Sequence, residues 1–413
     1  MQYIRKLTAI LTCKKIRNIN CSVKALIPLL GMLFLAGVLW GAVDMSAKAA
    51  MIADKQETTV KNQQLKTGNS SRILHEENGK VLRSTSTGIN KPTIFQHGGG
   101  VHYVTLSKDQ KTVLTASQDN TASLWSAQTG ERLQTFQHDG AVYQAVFSLN
   151  GKWALSASKD KTASMWSLKT GEKLQTFQHN GWVLSATLSE DSQFVLTAST
   201  DKTATLWSLK TGKRVRVFQH DKPVNNASFS TDGEWVLISA ISGFAALWNI
   251  HTGEIKKFKN CSGISDAILS PDGKWVLTIS SINRNATLWN AMTGKSQQHY
   301  ENTGSRAVFS PDSNSILIAK QNNSVDLLDI KLGKRQQSFK HDENISHVAF
   351  SNDGLWVITG SFDKTAILWD SITGEKRRSF QRGKVITHVA FSDDDKKVLI
   401  ASHDKTAALY NLD

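Results

Sequence analysis

An eleven-residue phrase recurs along this chain at an almost constant interval, and that interval limits the folds open to it. Its clearest copies are Ser156 to Trp166 (SASKDKTASMW), Thr197 to Trp207 (TASTDKTATLW) and Thr359 to Trp369 (TGSFDKTAILW), with Thr115 to Trp125 (TASQDNTASLW) upstream. The closing position falls at Trp125, Trp166, Trp207, Trp248, Trp289, Leu328, Trp369 and Tyr410, in steps of 41, 41, 41, 41, 39, 41 and 41 residues. A unit of this length cannot enclose a core alone, so it buries its apolar faces against neighbouring copies.

Residues 130–166 show what one unit contains. Leu133 to Gln137 (LQTFQ) has strand composition and is broken by His138-Asp139-Gly140. Alternating Ala141 to Phe147 (AVYQAVF) follows, then the turn Ser148 to Gly151 (SLNG). Trp153 to Ala157 forms a third strand, a turn is centred on Asp160, and Thr162 to Trp166 forms a fourth. Four short strands joined by turn residues predict one small antiparallel sheet per unit. A radial ring of such sheets, all-β throughout, covers their faces.

These motifs resemble the WD-repeat β-propeller family over residues 92–413. The resemblance rests on the His before the first strand, the Ser-Pro-Asp-Gly turn (Ser270 to Gly273), the Asp of the tight turn and the closing Trp. The Trp-Asp pair that names the family occurs at Trp369-Asp370. The resemblance implies a side-chain hydrogen-bond chain of His, Ser/Thr, Asp and Trp. It maps onto His138/Ser156/Asp160/Trp166, His179/Thr197/Asp201/Trp207, His97/Thr115/Asp119/Trp125 and His341/Thr359/Asp363/Trp369. These His and Asp residues are then structural, neither metal ligands nor catalytic groups. Ser242, Asn283 and Asn322 depart from the pattern at the Asp position.

Only Asn411, Leu412 and Asp413 follow Tyr410, too little for an outer strand, whereas Pro92 to His97 (PTIFQH) copies the end of one. The N-terminal strand is therefore expected to complete the last blade and remove an open edge. Eight anchors give an eight-bladed propeller; seven blades is the alternative if the Leu328 repeat is irregular.

In the strand nearest the axis, one row reads Tyr103, Gln144, Ser185, Asn226, Asp266, Arg306, His347 and His388, and the adjacent row is Val or Ala throughout. Strand alternation sends the rows in opposite directions, so the polar row is a candidate channel lining. Asp266 and Arg306 are expected to pair, and His347 and His388 to be neighbours. Two imidazoles without a third ligand make a weak metal site. By resemblance, the face bearing the loop before the innermost strand and the Asp turn is a frequent partner surface. Trp182 stands there where other repeats have Gly or Ala, Phe362 precedes Asp363, and Lys159 and His403 hold the same turn position elsewhere. Aromatic residues at such loops are suited to anchor a partner.

The formal charge is +14. Residues 1–49 hold seven Lys/Arg against Asp44, so six of those charges are theirs and eight belong to the rest. A basic surface favours acidic partners, anionic lipid or nucleic acid. The outer strands carry much of it, as at Lys213 to Arg216 and Lys376 to Arg378, and charged edges also discourage sheet aggregation. Residues 25–43 contain no charge and follow a basic leader (1–24), which predicts a retained transmembrane anchor or the core of a signal peptide cleaved near Ala50. Both place the repeats outside the cytoplasm, and residues 44–91 read as a flexible linker. Of the cysteines Cys13, Cys21 and Cys261, only the last lies in the repeats, so they hold no internal disulfide.

The expected function is a non-catalytic protein-interaction scaffold with no cofactor, acting as a monomer. The competing class is an enzyme resembling the quinone-binding periplasmic propellers. That family's Trp follows Thr-Gly, whereas Trp207 precedes Thr211-Gly212. Nucleic-acid binding is a third class, opposed by the export signal and by the absence of a sequence-reading module.

Overall fold

The computed structural model describes residues 91–412, apart from 242, 260–263 and 281. The leader, the apolar segment, most of the linker and Cys261 lie outside the described residues. Among those described, no helix is long and apolar enough to cross a membrane.

The strands form eight four-stranded antiparallel sheets, seven of them in simple up-and-down order. The first blade is β2 (Val101–Leu106), β3 (Thr112–Ser117), β4 (Thr121–Ser126) and β5 (Arg132–Gln137). The Leu328 repeat is a complete blade, β22 (Thr303–Phe309) to β25 (Arg335–Lys340), so the seven-bladed alternative does not hold. In the eighth blade, β30 (Ile386–Phe391), β31 (Lys397–Ser402) and β32 (Thr406–Asn411) are completed by β1 (Thr93–Gln96). β1 pairs antiparallel with β32 in the register Phe95↔Ala407. The chain's first described strand thus closes the ring.

The core lies between blades rather than within them. Leu114, Ala116, Leu124 and Phe136 of the first blade form one buried cluster with Val142, Ala145, Ala154 and Trp166 of the second. The same arrangement repeats around the ring and ends with Phe95, Leu399 and Leu409 of the eighth blade packed on Val101, Val113 and Trp125 of the first. Each outer strand contributes one large ring, opposite a small residue on its neighbour: Phe136↔Ala122, Phe177↔Ala163, Phe380↔Ala366. In six of the eight junctions that ring meets the Trp of the next blade, with centroids 5.8 Å apart for Phe95–Trp125 and 5.4 Å for Phe136–Trp166. Tilted aromatic pairs at this separation add about 0.5–1.5 kcal/mol to the area they bury.

The basic outer strands have a local role that composition does not reveal. The register places Arg132, Lys173 and Arg214 opposite Trp125, Trp166 and Trp207. Their cations stand over those rings at 4.4, 4.7 and 5.0 Å from the centroids. Each cation covers the solvent-side face of an interblade Trp, an interaction of about 0.5–1 kcal/mol at an exposed site.

Because Phe95 is fully buried in the closing interface, Phe95→Ala should lower the unfolding free energy by about 3–5 kcal/mol. Phe177→Ala in mid-ring should cost as much, and denaturant titration of both variants checks this. A loss under about 1 kcal/mol at Phe95 alone would mean that the ring is not closed there.

Candidate functional site at the channel mouth

Four tetrads hold the turn loops to the sheets. In the second blade, His138 Nδ1 lies 2.6 Å from Asp160 Oδ2, His138 Nε2 is 2.7 Å from Ser156 Oγ, and Trp166 Nε1 donates to the same Oγ at 2.8 Å. A carboxylate only accepts, so the neutral ring carries its proton on Nδ1; Ser156 then donates to Nε2 while accepting from Trp166. The tetrads at His179/Thr197/Asp201/Trp207, His97/Thr115/Asp119/Trp125 and His341/Thr359/Asp363/Trp369 have the same connections.

The Ser–His–Asp order resembles that of a hydrolase, but the serine cannot act as a nucleophile here. Ser156 is fully buried and its oxygen is occupied by an indole N–H. An acyl-transfer site needs an accessible oxygen with room for a substrate carbonyl. Three of the four tetrads carry Thr instead, with the same burial. They are fasteners.

Two blades substitute their own chemistry. His220 turns to the adjacent Asp221 at 2.7 Å and stacks on Phe244 at 3.9 Å. In the eighth blade Arg382 takes the place of His. Its Nε is 3.5 Å from Asp404, and it donates to Thr406 and to Tyr410.

Three residues of the polar row stack on one another. His347 and His388 have ring centroids 4.3 Å apart, and Tyr103 lies 4.1 Å from His388. Gln144 accepts from the amide of Ala186, and Asn226 lies within hydrogen-bond reach of Asp266. The Asp266–Arg306 pair does not close. No ion pair within 4 Å joins them; Arg306 Nε instead donates to Ser346 O at 3.0 Å, toward the next blade. Burial raises the Asp266 carboxyl despite the attraction of Arg306. Burial, with Arg306 nearby, lowers His388 to about 3. Burial, His388 and Arg306 together hold His347 well below its usual value. Both imidazoles are neutral at physiological pH. Among the described residues no group of three or more His, Cys, Asp or Glu could hold a metal.

Strand alternation alone does not find the lining of the axial cavity. In six of the eight inner strands the register slips by one residue, as between Val101 and Tyr103 or Ile345 and His347. Such a bulge frees one residue from the ladder and re-aims its side chain. The freed residues include His102, Tyr143, Ser346 and Thr387. In β22 the excursion is longer, leaving Gly304, Ser305 and Arg306 between the paired Thr303 and Ala307.

These bulged residues converge on a cavity of about 400 Å³ lined by His102, Tyr143, Ser305, Arg306, Ile345, Ser346, Phe362, Val385, Ile386, Thr387 and His403. The lining comes from the second, sixth, seventh and eighth blades as well as the first. Second and sixth blades stand opposite each other in a ring of eight, so the cavity sits on the axis. Phe362 N donates to Asn344 O and His403 N to Val385 O, which places their turns beside the loops entering the inner strands. The cavity is therefore the channel mouth on the Asp-turn face. His102 lies 5.6 Å from Tyr143 and 5.9 Å from His403 between ring centroids. Burial and the neighbouring His403 lower His102 to about 4. Trp182 and Phe362 are 43% and 46% exposed on this face, far above the other closing and core aromatics. Lys159 reaches over the Trp182 ring at 4.7 Å, joining the second and third blades. Grooves at the opposite turns recur between several blade pairs, so they follow from the repeat itself.

The molecule is thus an eight-bladed repeat propeller with a distinctive surface at one channel mouth. The profile of the family described as WD40 (WD domain, G-beta repeat) matches residues 90–126, 130–167, 171–208, 212–249, 333–370 and 374–411. The chain belongs to this family. Its fold is similar to that of the computationally designed Ika8 protein, with a TM-score of 0.68 over 77% of this chain and 98% of that one, at 23% identity. No curated protein matches the sequence.

Two titrations follow. Burial opposes the Asp160 carboxylate, yet hydrogen bonds from His138 and Thr162 outweigh it and hold the group well below the usual range. Its contribution is present above about pH 4 and lost as the pH falls toward the folded value. Asp160→Asn should cost about 1–3 kcal/mol at neutral pH, and the gap from the unmodified protein should close below about pH 4. His388, lowered when folded, takes up its proton only on unfolding, so acidification from about 6.5 toward about 3 destabilises the ring. Replacing it by Phe keeps a ring and should reduce this pH slope by about one proton, read from denaturation midpoints at pH 7 and pH 5.

Proposed function

We propose that the protein is a non-catalytic scaffold that docks a protein partner on its Asp-turn face. WD40 propellers are typically interaction scaffolds. The observation that carries this reading is the pair Trp182 and Phe362, two large rings left nearly half exposed on the face where the channel opens. Burying such rings against a partner supplies much of a binding free energy, and hot spots are enriched in these residue types. The catalytic alternative loses its best arrangement because the Ser–His–Asp groups are fastened to Trp and closed to solvent.

The basic leader and the uncharged residues 25–43 support an extracytoplasmic location, by a retained anchor or after cleavage near Ala50. Nucleic acid as partner would require the opposite topology. A lipid-binding rim is disfavoured by the outer-strand cations that already cover Trp rings.

The test is partner capture from the native envelope with the full-length chain. Trp182→Ala and Phe362→Ala should each reduce the retained partner by about tenfold or more while leaving the thermal transition within a few degrees. Leu149→Ala and Leu355→Ala, in the turns at the other ends of the strands, should leave capture unchanged. Capture lost through the latter pair instead would place the partner on the other face and overturn the proposal.

A further inference from the structure

The channel mouth is electrically unbalanced. Among the described residues lining it there is no Asp or Glu, while Arg306 stands there exposed. The carboxylates of the two turns that carry Phe362 and His403 are committed elsewhere. Asp363 accepts from His341 and Thr365, and Asp404 accepts from Gly383 and Thr406 and pairs with the Arg382 guanidinium. Asp266 accepts from Ala267, Asn226 and Ser239 and lies beyond ion-pair distance. Of the guanidinium donors, Nε is fixed by Ser346 O. That bond orients the planar group and leaves its terminal N–H pair free for a fork-like acceptor. Ser346 Oγ, in the same wall, is buried without any hydrogen-bond partner. A buried hydroxyl left in this state is unfavourable, and a bound acceptor would satisfy it.

We propose that the channel mouth binds an acidic side chain of the partner protein, its carboxylate forked on Arg306 and accepting a further hydrogen bond from Ser346. Phe362, Tyr143, Ile345 and Val385 form the surrounding apolar and aromatic wall, so the acidic residue is carried on an extended segment with an apolar neighbour. Displacing water from this wall on binding would strengthen the charge-assisted bonds. The basic balance of the whole chain attracts the same class of partner at long range. The cavity, at about 400 Å³, admits a side chain and its flanking residues rather than a folded domain. The inference rests on the scaffold reading, since it names the chemistry of that partner.

The experiment uses the purified full-length chain and an array of random heptapeptides, each acidic member paired with its Glu→Gln or Asp→Asn counterpart. The retained peptides should contain Asp or Glu beside an apolar residue, and their amide counterparts should bind roughly tenfold or more weakly. Arg306→Gln should abolish that preference with an unchanged thermal transition, and Arg306→Lys, which keeps the charge but not the fork, should retain part of it. Binding should also weaken as salt rises. If the amide counterparts bind equally well, or if folded Arg306→Gln still prefers acidic members, the inference is overturned. Should Arg306→Gln fail to fold, the amide pairs and Arg306→Lys still decide. A partner captured through Trp182 and Phe362 that neither acidic peptide nor Arg306→Gln displaces would remove this inference and leave the scaffold reading standing.

Discussion

Every blade of this protein is held by an aromatic ring it does not own. The Phe on each outer strand, or Tyr300 in the fifth blade, fills the space beside a small residue and projects to the next blade; in seven of the eight junctions it meets an aromatic anchor. A four-stranded sheet has no interior, so the junction supplies the apolar burial that a single sheet lacks. The dependence runs all the way round: open the ring at β1 (Thr93–Gln96) and the first blade's Trp125 loses its partner Phe95. The site depends on the same closure. Tyr143 and Arg306 share one cavity only because the blades between them complete the circle.

The tetrads serve a second purpose. One of them fixes the loop that carries Phe362 by anchoring Asp363 to backbone, hydroxyl and imidazole groups, and Arg382 does the same for Asp404 beside His403. Where His or Asp is missing, the chain finds substitutes such as Arg382 with Asp404 or His220 with Asp221. Rigid turns let a partner surface be presented without ordering it on binding, which removes part of the entropic cost of association.

The 41-residue period made the fold legible, and Pro92 to His97 made its closure legible, because outer-strand composition repeats faithfully. The tetrads were legible for the same reason. Most of the channel mouth was not. Strand alternation assigns His102 and Tyr143 to the side occupied by the interblade core, and only the bulge, a backbone event without a sequence signature of its own here, turns them to the axis. The Arg306–Asp266 pairing failed through a related feature, the longer excursion in β22 (Thr303–Phe309) that directs the guanidinium to Ser346. The outer-strand cations read as a generic basic rim until register set them over Trp.

The central claim is that one face of the ring, the one with the Asp turns, is where a protein partner sits. Photo-crosslinking in native cells measures this most directly, with a photoreactive side chain at residue 182 or 362 compared against residue 149 or 355. The account predicts a discrete protein adduct from the first pair and none from the second. Adducts from residues 149 and 355 alone would contradict it.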